Sequence, residues 1–420
     1  MIRGQSFFNV VVFLTTFFST SLLMAAPAIE VSSSPNPVGS GARALGMGGA
    51  FIGVADDATA ASWNPGGLIQ LDKPEVSMVF NYQGRSEDIG FKSLPDVSSD
   101  VYVDHSDLNY LSAAYPFVLA RRNMIVSVNY QRLYDFNREW EFDVDLGGIT
   151  LAPYHYEQKG DLYALGFAYS TMVTLDLSVG ITVNYWGDLI NRNQWTQTYN
   201  YVRKTPGLPD AVNLDEYTYE FEGWNANLGF LWRLSERWTL GGVLKMPFEA
   251  DIDHKESNNG FIKTYKDTMD MPMSYGLGVA YRHSDKFTVS ADIYRTHWQD
   301  FIYHHQDGTN SSPVSGKDES QSDIDATTWL RAGMEYLYIG RKLVVPIRAG
   351  IFYDPSPAEK NPDDYYGFTL GSGIAYKRWV WDIAYQFRYG DNVSGGMLDN
   401  IGFFQDVIEH TVYTSLIVHF

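Results

Sequence analysis

The chain has 420 residues with 50 acidic against 31 basic side chains, a formal charge of −19. That balance argues against nucleic acid as a partner, because its phosphates would be repelled. Without a single cysteine no disulfide can form, so an exported chain must hold together by its hydrogen-bond ladder and packing, and aromatics at 15% with 29 tyrosines suit the interfacial girdles of a membrane barrel.

Arg3 supplies a positive n-region, Phe7 to Met24 is apolar but broken by Ser and Thr, and Ala26-Pro27-Ala28 is a small-x-small site. This reads as a secretory signal peptide over residues 1–28, cleaved after Ala28 with Ala26 as second choice. Its core is short for an anchor, and no later apolar stretch is long enough for a spanning helix. A membrane assignment must therefore rest on strands.

Residues 29–73 stand apart. Pro35 to Leu68 does not alternate as a strand would, and small residues dominate it. Gly46, Gly48 and Gly49 let a backbone pack closely inside something else. Asp56 and Asp57 precede Ala58 to Ser62, where their carboxylates can accept the open amides of a helix start. Asn64-Pro65-Gly66 then breaks the helix and forces a turn. The expectation is a compact plug lodged in a lumen.

From residue 74 onward strands follow one another. Leu175 to Tyr185 alternates strictly, as do Trp379, Trp381, Ile383, Tyr385, Phe387 and Tyr389 against Asp382, Gln386 and Arg388. Very short connections (Arg121 to Asn123, Leu234 to Arg237, His283 to Lys286, Gly340 to Lys342, Lys377-Arg378) alternate with long ones at 83–107, 134–157, 191–216, 251–269, 302–323, 354–364 and 391–408. A two-sheet sandwich has no reason to sort its turns this way; an outer-membrane barrel does. The fold class is therefore all-β transmembrane, a single antiparallel β-barrel of about fourteen strands over 74–420, with both ends on the periplasmic side. The last strand places Val412, Leu416, Val418 and Phe420 opposite Thr411, Tyr413, Ser415 and His419. Ending on Phe420, it resembles the closing strand of a bacterial outer-membrane barrel, so Phe420 is expected to matter for assembly.

The order of features resembles the FadL family of outer-membrane transporters for long-chain fatty acids and other hydrophobic compounds. The hatch signature appears as Ala44 to Gly53, Ala55-Asp56-Asp57-Ala58 and Asn64-Pro65-Gly66, with Gly66 where the family has Ala. Ile347 to Pro357, Asn361 to Asp364, and Asp285 to Tyr294 followed by Trp298 and Phe301 are similar to later family segments. Fourteen-stranded relatives such as the secretion shuttle PorV share the hatch signature, which keeps a structural or secretion-adaptor role as the alternative.

The resemblance implies passive diffusion through a plugged barrel, with lateral exit beside a kinked third strand. Met124 to Tyr134 contains neither Gly nor Pro, so the sequence does not locate that kink. The implied partners are a hydrophobic small molecule (fatty acid, hydrocarbon or aromatic), outer-membrane lipids and lipopolysaccharide, and the barrel-assembly machinery. A monomer without cofactor or metal is expected. Phe51, Ile52, Trp63 and Leu68 are candidates for the ligand tail, and Phe261, Ile262 and Tyr265 for an extracellular groove. Arg348 and Arg388 could hold a carboxylate with paired hydrogen bonds, although pairing with lumen acids such as Asp382 competes. An outer-membrane lipid hydrolase is a weaker alternative: the chain has no G-x-S-x-G, H-E-x-x-H or P-loop, and His297, His304 and His305 lie near a loop.

Overall fold

The period-two alternation produces one sheet that closes on itself. A computed structural model describes residues 40–93, 95–145, 150–189, 193–394 and 402–420; the expected signal peptide and the start of the plug lie outside them. Among the described residues the wall consists of β1 (Glu75–Phe91), β2 (Ser98–Leu119), β3 (Arg122–Asp135, continued by Arg138–Asp145), β4 (Thr150–Met172), β5 (Leu177–Trp186 and Gln194–Lys204), β6 (Ala211–Arg233) and β7 (Trp238–Lys245 and Phe248–Asn258). The ring continues with β8 (Phe261–Met271 and Ser274–Ser284), β9 (Phe287–Thr296 and Ile302–His304), β10 (Thr327–Ile339), β11 (Val344–Tyr353), β12 (Tyr365–Tyr376), β13 (Trp379–Val393) and β14 (Phe403–His419). Fourteen antiparallel strands close because β1 pairs on both sides, Glu75 standing opposite Ala114 of β2 and His419 of β14. A closed sheet has no free edge to template aggregation.

Large apolar side chains point outward along the wall: Phe80, Val128, Phe167, Leu277, Ile351 and Leu370 are all exposed. Such a continuous surface is stable only against lipid. Trp232, Trp238, Tyr336, Tyr338, Tyr376 and Trp379, also exposed, ring the short-turn end as an interfacial girdle. Among the described residues no helix is long and apolar enough to cross a membrane.

Two expectations need correction. Four of the expected loops are paired strand: β1 and β2, after a register shift at Val79/Phe80, stay paired up to Gly90–Ser98, and β7 and β8 up to Asn258–Phe261. Polar residues on both faces look like loop in sequence, yet above a membrane both faces of a hairpin meet water. The hairpin tip Asn259-Gly260 has positive φ at both residues, as a two-residue turn requires. Leu175, expected in a strand, lies in the turn before Leu177, where the Val173 and Thr174 amides donate to the Leu177 carbonyl.

Residues 40–74 fill the ring. They form α1 (Ala42–Gly46), α2 (Ala60–Trp63) and a 3-10 turn over Pro65–Gln70. Wall glycines receive this backbone directly. Gly180 faces Gly229, Gly241 faces Gly278 and Gly333 faces Gly350 in neighbouring strands. A Cβ on Gly241 would stand 2.2 Å from the Ile52 carbonyl, and one on Gly350 would stand 2.2 Å from the Gly48 amide. Only hydrogen fits there. The cross-strand pairing therefore builds a smooth band from β5 to β12 against which the inner segment lies backbone to backbone.

Candidate functional site

Polar wall residues fasten the inner segment. The amides of Phe51 and Ile52 donate to the Asp292 carboxylate at 2.7 and 2.8 Å, and the Gly48 amide donates to the Thr369 hydroxyl at 2.9 Å. The hydroxyls of Ser178, Thr182 and Ser290 donate to the carbonyls of Gly66, Ala61 and Ala50. Asn64 is fully buried; its amide nitrogen donates to the carbonyls of Ile52 and of Phe230 in β6, while its oxygen accepts from the Gly66 amide. Asp57 accepts the Thr59 amide just before α2, but Asp56 pairs with Arg43 instead of capping. Arg43 extends that pair through Glu335 to Arg348 and Asp382.

Beyond the inner segment, toward the long-loop end, is a narrow cavity of about 40 Å³. Its apolar lining includes Leu133, Tyr134, Trp186, Phe248, Met271 and Trp298. Asn184, Asn225, Asn227 and Lys245 supply the polar side. The Asn184 amide donates to the Asn225 oxygen at 2.9 Å, which also accepts the Trp186 indole N–H. From the cavity a run of rings leads outward: Tyr134 to Phe136, Phe136 to Trp195 at 5.4 Å, and Trp195 stacked on Tyr219 at 4.8 Å. The loop between β9 and β10 closes over it, burying Val314 and Ile324 in the same apolar cluster. Lys317 ties that loop to Glu359 of the next one at 2.7 Å.

The wall beside the cavity is irregular. β3 shifts register against β4 between Arg132 and Tyr134, next to the cavity-lining Leu133. It then breaks between Asp135 and Arg138. Against β2 it is paired only from Leu119–Arg122 up to Tyr110–Gln131. Past that rung the two strands share no ladder, although β2 runs on to Ser98 beside β1. Charged groups occupy the seam: His105 Nε2 lies 2.8 Å from Asp135, and Arg132 lies 3.2 Å from Asp107 and also pairs with Asp161. Burial alone would lower the His105 pKa, but the hydrogen bond and charge of Asp135 raise it above the usual histidine range. Further out, burial would raise the Glu87 carboxyl, yet Arg85 and Arg138 on either side hold it below the ordinary carboxylate value.

The chain is similar to a Pseudomonas aeruginosa FadL homologue at 13% identity, covering 91% of this chain and 98% of that one with a TM-score of 0.63. It is also similar to the P. putida toluene transporter TodX (14% identity, 92% and 99% covered, TM-score 0.58) and to the Ralstonia pickettii toluene transporter TbuX (14%, 91% and 100%, 0.56). The chain has the FadL fold. At these identities the likeness is one of fold. A family model described as F plasmid transfer operon, TraF, protein matches residues 123–293, under half of the chain, and no curated protein matches it.

Within this FadL-type barrel, the four residues expected at the ligand tail sit elsewhere. Phe51, Ile52, Trp63 and Leu68 are buried within the inner segment's own core, Trp63 donating its indole N–H to the Ser40 carbonyl at 2.7 Å, and none lines the cavity. Arg348 donates to Glu335 and Asp382, each at 2.6 Å. Arg388 pairs with Glu409 and Asp354 and lies 3.7 Å from the centre of the Tyr365 ring. Phe261 and Ile262 are exposed at a hairpin tip, and Tyr265 donates to Glu256. Phe420 is exposed on the outer face, its amide donating to the Pro74 carbonyl. Glu139, His155 and Glu157 bring ligand-type atoms within 4.8 Å of one another on the β3–β4 hairpin, with the Lys159 ammonium on Glu157. The cavity residues escaped sequence reasoning because Asn184, Asn225 and Lys245 are ordinary inward positions of three different strands. Strand pairing brings them together, setting Asn184 opposite Asn225 and Lys245 opposite Asn227.

Proposed function

We propose that the protein is an outer-membrane channel through which hydrophobic compounds diffuse passively, collecting in the cavity and leaving sideways between β2 and β3. One observation carries this reading. The inner segment below the cavity is packed backbone to backbone on wall glycines and fastened by hydrogen bonds, whereas the cavity's side wall at Leu133 and Tyr134 is the place where β3 parts from β2. Its few convergent polar groups among aromatic ones are typical of small-molecule sites. Asparagines and Lys245 at one side of an otherwise apolar space suit an amphipathic compound whose head group forms hydrogen bonds there. Residues 29–73 act as the hatch, and the 1–28 segment directs export.

Uptake of radiolabelled oleate and of a long-chain alkane by whole cells lacking their own channel tests this reading. Trp186→Ala should weaken uptake of both, because an aromatic contact is lost whatever the head group. Lys245→Met should lower oleate uptake about ten- to a hundredfold and spare the alkane, the range expected for one charge-assisted hydrogen bond of roughly 1.5–3 kcal/mol. If neither compound enters faster than in cells without the protein, the transport reading is wrong.

The hatch gives a separate expectation. Replacing Asn64 and Pro65 together by Ala should impair uptake while the barrel stays folded, since those side chains fix the plug without belonging to the wall. Each orphaned buried partner costs about 1–3 kcal/mol. Heat-modifiable migration on gels checks the barrel and oleate uptake checks the plug; a collapsed barrel would show that the turn is part of the wall's stability.

A further inference from the structure

An apolar compound leaving between β2 and β3 would meet ionised side chains, and their arrangement explains how such a seam can open. The register of β1 on β2 sets His105 opposite Gln83 and Asp107 opposite Asn81, whose side chains are buried in the lumen. His105 and Asp107 therefore face inward. On β3, Ser127, Asn129 and Gln131 are the buried inward positions, so Arg132 has the outward parity, yet it is only 2% exposed. The inward face of β2 covers the outward face of β3. Past Gln131 the third strand has stepped inside the second, and side chains close the overlap where the backbone ladder has ended. The rim is pinned as well, by the Glu87 carboxylate accepting from Arg138 and from the Trp140 indole.

We propose that His105, Asp107 and Arg132 form a latch that holds β3 against β2, and that lateral release requires the His105–Asp135 and Arg132–Asp107 contacts to part. This rests on the lateral-exit reading above. The charges are divided so that parting leaves none of them buried alone. On the β3–β4 side Arg132 keeps Asp135 and Asp161, and Asp135 also keeps the Asn137 amide at 2.9 Å. On the β2 side the side chains of His105 and Asp107 are 18% and 25% exposed and lie 3.9 Å apart, so water and each other can take over. A buried ion pair broken by losing one partner is costly because the survivor stays unpaired. Here both halves remain paired, so the latch is reversible.

Protonation of His105 sets its strength. The charged and titratable groups facing it are Asp107 on β2, Arg132 and Asp135 on β3, and, through Arg132, Asp161 and Tyr163 on β4; β1 offers the neutral Gln83 opposite. With a raised pKa, the stabilisation from His105 is complete below the ordinary histidine value of about 6.5 and is lost as pH rises through the raised one. The seam should loosen toward alkaline pH.

Spin labels test the latch without reference to any substrate. The chain has no native cysteine, so Tyr102→Cys (exposed) and Glu139→Cys (half-exposed), on the two sides of the seam, can be labelled in the full-length protein in lipid vesicles. Their distance distribution should broaden to longer values as pH rises from about 6 to 8. It should be broad at both pH values in Asp107→Asn, and independent of pH in His105→Gln. Unchanged distances in both variants overturn the latch, as does equal pH dependence with and without His105. The route is tested separately by joining Asp107→Cys to Arg132→Cys with a short bismaleimide. Oleate uptake should stop in the joined protein and exceed that of the unsubstituted protein when the cysteines are left free. Uptake unaffected by joining removes the lateral route. Uptake stopped by joining, with no gain from free cysteines or Asp107→Asn, keeps the route and removes the latch. Asp107→Glu should restore ordinary uptake and distances, and failure to do so would mark Asp107 as structural only.

Discussion

Arg348→Met should destabilise the barrel by about 3–5 kcal/mol, the cost of removing one partner from a buried ion pair. Arg348 of β11 joins Glu335 of the adjacent β10 to Asp382 of β13, one strand beyond its neighbour β12, and Asp382 is fully buried. Without the guanidinium, Glu335 keeps Arg43 of the inner segment, at 3.0 Å, but Asp382 is left as the unpaired charge. The double variant Arg348→Met with Asp382→Asn should recover most of the loss, since the remaining groups are neutral or still paired. Urea unfolding of the protein in lipid vesicles measures both. Equal stability of the single variant and the unsubstituted protein would show that lumen water already screens this chain of charges.

Gly333→Val should displace the plug. A Cβ at Gly333 would stand 2.0 Å from the Met47 carbonyl oxygen, and real Cβ atoms do not approach within 3.0 Å. The inner segment would have to retreat by about 1 Å across from Gly350, where the opposite strand gives no room either. Overpacking of this kind costs roughly 1–3 kcal/mol, enough to unseat a segment held by single hydrogen bonds. Conductance in planar bilayers and sensitivity of cells to a large hydrophilic antibiotic should both rise, while Gly207→Ala, which strains a turn of positive φ remote from the inner segment but meets nothing within 4 Å, should leave both unchanged. A closed, stable Gly333→Val barrel would mean the plug tolerates movement that the glycine band is here taken to forbid.

Fold and site were legible to different degrees. Alternation from Trp379 to Tyr389 and from His410 to the end was readable because each side chain's face follows from parity alone, and parity is a local property. The number of strands followed from turns such as Lys377-Arg378, which are too short to be anything else. The paired hairpins above the membrane were not legible: Asp251 to Met269 lacks an apolar face in sequence, because both of its faces meet water or polar neighbours. The partners of Arg348 were open for a similar reason. Its parity put it in the lumen, but whether a ligand or an acid met it depended on Glu335 and Asp382, carried by strands that only pairing brings beside it.

By itself, then, the sequence determined the barrel, the approximate strand count and a small-residue segment too glycine-rich for a free linker, all consequences of period and composition. The tertiary structure decided where that segment rests, because close backbone approach depends on glycines of neighbouring strands falling in register, as Gly333 does with Gly350. It also decided where the wall is weak. Nothing in Met124 to Tyr134 marks a bulge, since β3 is bent by what lies around it: Arg132 is drawn between Asp107, Asp135 and Asp161, which come from three strands. Charge pairing across a closed ring is a long-range property, and no local pattern in a chain encodes it.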